Sequence, residues 1–371
     1  MSTTRSRAYA RIGFVSTVIV TGALLLSSGV FAAPPGGPKC HPRKGNCVAP
    51  TPTPTVTPTP TPTPSPTPTQ TPSPTPTPTQ SPTPPPPVPG QLYAPTSFWN
   101  TPIGASPAID PNSASMVTAS LANFASSANL ANTESWGIPI VYASVTDKEY
   151  AIGCNYFDCG TTVKFRIPMG AKPTTGSDKH LVVIDLSKGL ELDMWRAEYN
   201  ATTDSWSAGS RYISNAFGWG AICSLGQHCN GAVASGFAAF GGIPRPEEFA
   251  LPVIPHALTL TPPLTRSGYI ACPATHTDGE DPAPAIPEGA RVQLDPTFNV
   301  DATSWPAWKK TIARTLQVYG AYVSDTGGSL ALRGEADINR QGAWTAVGIP
   351  EWASLSDIPW SKFRVLQLTQ C

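Results

Sequence analysis

Two sets of side chains in this sequence have the chemistry to move a proton or hold an ion. The first is histidine, which occurs only five times in the chain. His180, His256 and His276 each adjoin a short apolar run, at 181–184, 257–260 and 269–271. If those runs are neighbouring strands, their imidazoles converge at one edge. Three would suit a transition metal, and one or two would suit proton transfer near neutral pH. His228 lies between Cys223 and Cys229 and reads as surface decoration. The second set is carboxylate. Glu191 and Asp193 alternate with Leu192 and Met194, so they share one strand face with Trp195. At a rise of about 3.3 Å per residue their Cβ atoms stand roughly 6–7 Å apart. Carboxyl groups about 5–5.5 Å apart serve retaining glycoside hydrolysis, and about 6.5–9.5 Å inverting hydrolysis. Asp278, followed by Glu280 and Asp281, is a loop cluster of oxygen donors that would suit Ca²⁺, although its spacing is not that of an EF-hand.

Each set also has a plainer reading. A histidine can cap a strand, an acid can pair with Lys or Arg on a solvated face, and a Trp usually belongs to the core. Asp325-Thr326-Gly327-Gly328 carries the residues of a tight turn and reads as one. Asp193 and Glu191 are therefore the acid/base or nucleophile candidates, and His180, His256 and His276 the proton-transfer or metal candidates. Trp195, Arg196, Tyr199, Trp219 and Asp278 are the candidates for contact with substrate. These residues require no cofactor, though a bound Ca²⁺ or transition metal is compatible with them.

The element that must position the central candidates spans 178–199. Four apolar residues at 181–184, a Ser-Lys-Gly turn at 187–189, and the alternating stretch 191–195 read as a hairpin with a polar row on one face. On this reading the row forms a groove floor. Further short strands are expected at 138–142, 161–167, 206–213, 256–260, 269–272 and 290–294, with a final hairpin joining 321–323 to 330–332. Helices are expected at about 111–131, where Pro111 opens an Ala-rich stretch, and at 305–320, where Trp308, Ile312, Leu316 and Tyr319 have helical spacing before Gly320. Helices do not alternate with strands. The fold class is therefore mostly β with a few helices: one large antiparallel β-sandwich, jelly-roll-like.

The N-terminus reads as an address. Arg5, Arg7 and Arg11 precede an apolar segment at 12–30 and small residues up to Ala32, the pattern of a secretory signal peptide over 1–32. A short Cys-containing segment, 33–50, leads into a Thr/Pro repeat at 51–87, which cannot pack and reads as an extended polyproline-like spacer. The β-rich domain then occupies 88–371. Eight cysteines fall as Cys40/Cys47, Cys154/Cys159, Cys223/Cys229 and the distant Cys272 and Cys371, without CxxC spacing. Disulfides in an oxidising compartment are expected, with connectivity open and Cys272–Cys371 assigned by elimination. Lys plus Arg equals Asp plus Glu at 24 each, so no basic field exists to attract nucleic acid. No phosphate-cradling glycine motif and no serine nucleophile elbow are present.

Two resemblances bear on this domain. The stretch 191–196, Glu-Leu-Asp-Met-Trp-Arg, is similar to the Glu-x-Asp-x-x-Glu strand of laminarinase-type jelly-roll glycoside hydrolases, but Arg196 stands where that motif has its third acid. The resemblance therefore does not carry that family's mechanism across. The blocks His180-Leu-Val-Val-Ile-Asp185, Pro255-His256-Ala257-Leu258, Pro273-Ala274-Thr275-His276, and Tyr319-Gly320 with Val323-Ser324-Asp325-Thr326-Gly327 resemble a group of secreted bacterial proteins sharing them in the same order. This implies a recurrent secreted domain with the three histidines in shared blocks, and names no reaction.

The expectation is a secreted, extracellular, monomeric carbohydrate-active enzyme that cleaves a polysaccharide or cell-wall glycan in a Trp-lined groove. Hydrolysis comes first and elimination by a lyase second, the latter using a His or Tyr base with Arg196. After signal cleavage no membrane span would remain. The competing expectations are a non-catalytic glycan-binding module on a Thr/Pro stalk, which needs the Trp and not the acids, and a structural cell-surface domain.

Overall fold

The structure is a computed structural model that describes residues 91–371, all within one compact unit. The expected signal peptide, Cys-containing segment and linker, with Cys40 and Cys47, lie outside the described residues. Among the described residues no helix is long and apolar enough to cross a membrane. The domain is mostly β with few helices, as the sequence predicts.

Three sheets stack in layers. The largest has seven strands in the order Ala353–Ser354, Asn129–Ala131, Ala331–Arg333, Leu258–Thr261, Ala321–Val323, Arg291–Leu294 and Phe363–Val365. One face buries Leu258, Leu260, Val292, Val323 and Leu332 against Ile312 and Leu316 of the helix Ala307–Val318. Its other face meets the second sheet, Ile140–Tyr142, Leu181–Asp185, Leu190–Trp195 and Ser210–Asn215, through Tyr322, Ile140, Val182, Ile184, Phe237 and Phe240. The far side of that sheet, with Leu181, Val183, Leu192 and Met194, packs on Ile152, Phe165 and Trp206 of a third sheet. That third sheet contains Glu149–Cys154, Val163–Arg166, Glu198–Asn200 and Ser205–Ala208. All sheets are mixed: Asn129–Ala131 with Ala331–Arg333, Leu258–Thr261 with Ala321–Val323, Ile140–Tyr142 with Leu181–Asp185, and Glu149–Cys154 with Ser205–Ala208 pair in parallel. The purely antiparallel expectation therefore holds for the other ladders only.

The expected hairpin is present, with Val183 opposite Leu192 and Val182 opposite Asp193. Gly189 closes its turn at φ 65°, a left-handed conformation natural to glycine. Its second strand was expected to be half-buried and is covered on both faces instead, because the segment around Ala239 and Phe240 lies over the polar row. Other local expectations shift in instructive ways. The stretch 206–213 is two strands in different sheets, parted at Gly209. The helix expected at 111–131 is Ser113–Ser120 followed by a 3₁₀ turn, Ala122–Ser127, because Asn129–Ala131 is drawn into the large sheet. Residues 269–272 form only an isolated bridge, Ala271 with Gln370. The final hairpin does not form, because Leu258–Thr261 inserts between Ala321–Val323 and Ala331–Arg333 and pairs with both. Three disulfides, Cys154–Cys159, Cys223–Cys229 and Cys272–Cys371, match the expected pairs.

Candidate functional site

Between the first and second sheets a cleft of about 570 Å³ opens to solvent. Its lining from the second sheet includes Trp195 and Tyr212, with His180 next to Trp195 across the open end of the hairpin; His276, Asp278, Asp325 and Arg333 also line it, with Phe157 and Asp178. His180 precedes the buried strand Leu181–Asp185 and is anchored where the Thr174 hydroxyl accepts its backbone N–H at 2.8 Å. Its ring is buried, and Nε2 lies 3.5 Å from Arg333 Nη1. Burial, then the charge of Arg333, lowers this imidazole to about 3, so it is neutral near neutral pH. Arg333, at the end of Ala331–Arg333, also reaches Asp325 Oδ2 at 3.4 Å.

The loop 230–236 ties the acidic wall together. Ser235 donates its N–H to the Ser324 carbonyl and accepts from Thr275 and His276 N–H through its own carbonyl. Gly236 has φ 71°, and a Cβ there would stand 2.0 Å from Thr275 Oγ1, so glycine alone permits this approach. His276 Nδ1 lies 2.9 Å from the Ala234 carbonyl. Burial, offset by Arg333 and reinforced by Asp278, raises Asp325 to about 6. Behind Asp278 and Asp325 sits Glu288, fully buried, raised to about 10 by burial and by those two neighbouring carboxylates. Tyr212 donates to Asp158 at 2.7 Å; burial, then this bond, raises its hydroxyl far above the usual range, so it stays protonated.

The candidates named from sequence separate into two groups. His180, His276, Trp195 and Asp278 meet in the cleft. Glu191 and Asp193 do share a face with Trp195, but they are fully buried under the 239–240 segment. Asp193 Oδ2 accepts Ala239 N–H at 2.9 Å, Glu191 Oε1 accepts Phe240 N–H at 2.9 Å, and Glu191 Oε2 accepts the Tyr93 hydroxyl at 2.7 Å. Burial raises both acids, and Asp193, next to Glu191, stands well above the carboxylate range. The polar row is an internal clamp rather than a groove floor. His256 lies before Leu258–Thr261, at the opposite end of a parallel strand pair from Asp325, and does not line the cleft. Its Nε2 faces Glu248 at 3.2 Å and its Nδ1 the Ala257 carbonyl at 2.8 Å.

Arg196 stacks over Trp195 and Tyr156 and lines an adjoining depression with Lys179 and Glu198. Tyr199 packs on Trp206 and donates to Asp204, and Trp219 packs on Phe98; neither lines the cleft. Sequence reasoning missed Asp325, Arg333 and Glu288. Glu288 left a usable trace: it occupies the same alternation phase as Ile286, Ala290, Val292 and Leu294, all buried, so an acid stands where the pattern demands an apolar residue. The chain matches no protein-family model, no curated protein and no solved structure.

Proposed function

We propose that the chain is a secreted carbohydrate-active enzyme whose cleft takes an acidic extracellular polysaccharide and cleaves it by β-elimination. One observation carries this reading: a neutral imidazole and a guanidinium lie 3.5 Å apart in an open cleft that Phe157, Trp195 and Tyr212 also line. Trp195, Tyr212 and Phe157 offer flat faces for sugar rings, and Arg333 offers a cation for a uronate carboxylate. Binding that carboxylate neutralises the charge that helps to depress His180, and so raises the basicity of the ring when substrate is present. His180 then removes the proton α to the carboxylate. The C–H electrons form the C4=C5 double bond, the C4–O bond breaks, and the departing oxygen takes the proton back from the imidazole. No water is consumed. The signal-like N-terminus and three disulfides support an extracellular setting.

Hydrolysis is the second reading, favoured by the closeness of the Asp278 and Asp325 carboxylates, which have oxygens within 4.8 Å of each other. The test is incubation of the full chain with uronate-rich and neutral polysaccharides, following reducing ends and the ultraviolet absorbance of unsaturated sugars together. Elimination gives both signals on the acidic glycans. Reducing ends alone assign hydrolysis, and retention of glycan with neither signal assigns a binding module.

A further inference from the structure

We infer that Asp278, Glu288 and Asp325 form a site for a hard divalent cation, Ca²⁺, set into the wall of the cleft. Each of the three offers a carboxylate oxygen, and these oxygens all lie within 4.8 Å of one another. Ca²⁺ binds oxygen at about 2.3–2.6 Å, so ligands on opposite sides of one ion stand roughly 4.6–5.2 Å apart. A single ion can therefore touch all three. The donors are all carboxylate oxygens, which suits a hard cation rather than zinc or copper.

Proximity of acids alone would carry little; the decisive residue is Glu288. It is fully buried, and neither of its carboxylate oxygens has a hydrogen-bond partner. The polar groups beside it, Asp278 and the Thr277 hydroxyl, do not make an aligned hydrogen bond to it. A carboxylate shut away from water without a partner is costly, and native interiors rarely keep one without a reason. The backbone is built to place it there. Gly289, at φ 86°, donates its N–H to the Val323 carbonyl at 2.8 Å, two residues before Asp325. A Cβ on Gly289 would stand 1.7 Å from the Ala271 carbonyl oxygen, so the close approach requires glycine. Once an ion displaces the proton from Glu288, three carboxylates against the single guanidinium of Arg333 leave two negative charges, which a divalent ion balances.

Asp278 is exposed and Asp325 lines the cleft, so the ion would keep coordination positions open toward whatever the cleft binds. Ion binding stands whether or not the cleft is catalytic. Contact between that ion and a glycan carboxylate rests on the elimination reading.

The test is calorimetric titration of the EDTA-stripped full chain with CaCl₂, paired with thermal unfolding in EDTA and in excess Ca²⁺. One ion should bind per chain, with Kd no weaker than the roughly 10⁻⁴–10⁻³ M of extracellular Ca²⁺ modules. Asp278→Asn, at an exposed position, should weaken binding by at least about tenfold, since it removes one of three charged ligands. Glu288→Gln should abolish it. In EDTA, Glu288→Gln should unfold at or above the wild-type temperature because it removes an unpaired acid; in excess Ca²⁺ it should unfold below wild type. The proposal is overturned if Ca²⁺ gives neither heat nor a thermal shift up to about 10 mM, if only Zn²⁺ binds, or if Asp278→Asn binds Ca²⁺ as tightly as wild type. A folded Glu288→Gln that is less stable than wild type in EDTA would also overturn it, since that is the behaviour of a purely structural acid.

Discussion

The molecule buries acids in two ways, and the contrast separates scaffold from site. Glu248 is fully enclosed, yet Arg245 and His256 face it, and its oxygens also accept the Arg245 backbone N–H. Burial alone would raise it, but His256 and Arg245 pull it down to about 2. Glu191 and Asp193 are likewise enclosed and tied to backbone amides and Tyr93, with only Asp193 Oδ1 left without a partner, whereas both oxygens of Glu288 are. Glu288 is as deeply buried but has only other acids and a misaligned hydroxyl nearby, and it is pushed up to about 10. A satisfied acid holds structure together. An unsatisfied one, at the wall of an open cleft, marks a place where a ligand completes the chemistry.

That comparison can be broken most severely at Glu248. Glu248→Ala leaves Arg245 and His256 buried without their shared acceptor, and should cost about 3–5 kcal/mol in denaturant unfolding. A loss under about 1 kcal/mol would mean that the cluster behaves like a surface pair. The same cluster sets the acid limit. The folded-state pKa of Glu248 is depressed, so its contribution is present above the unfolded value of 4.5 and is lost as pH falls toward about 2. That contribution amounts to about 3 kcal/mol. Unfolding midpoints should therefore drop below pH 4.5, and the drop should be shallower in Glu248→Gln, with the remainder due to other lowered acids such as Asp185 beside Arg166.

On the cleft side, Arg333→Ala should lower kcat/KM on an acidic glycan by about 100-fold, since it removes a charge-assisted contact made to the reacting group. Trp195→Ala should raise KM by about tenfold with little change in kcat, while Trp219→Ala, packed on Phe98 outside the cleft, should leave both within about twofold. Glu191→Gln should keep kcat within about twofold, whereas a collapse of kcat in a folded variant would return that residue to the reaction.

Much of the scaffold was legible in the sequence. Alternation at 191–195 reports a strand with Glu191, Asp193 and Trp195 on one face, and turn residues at 187–189 report the hairpin. What covers that face was not legible. Ala239 and Phe240 lie more than forty residues away in sequence, and only tertiary packing turns a would-be groove floor into an internal clamp. His180 and His276 were found because histidine is scarce and each sits beside an apolar run. His256 was misplaced because a strand has two ends, and its parallel pairing puts it at the other end of the pair from Asp325. Asp325 read as a tight turn because its flanking strands are close in sequence. The insertion of Leu258–Thr261 between them widens that turn and delivers the acid to the cleft. Parallel neighbours of this kind leave no local trace, since their pairing partners come from distant segments.

The most direct test of the account is the ultraviolet absorbance of unsaturated ends released from a uronate-rich polysaccharide by the full chain, with Arg333→Ala alongside. The account predicts absorbance that rises in step with reducing ends for the wild type and falls by about two orders of magnitude in the variant. Reducing ends that accumulate without absorbance, or a variant as active as the wild type, would contradict it.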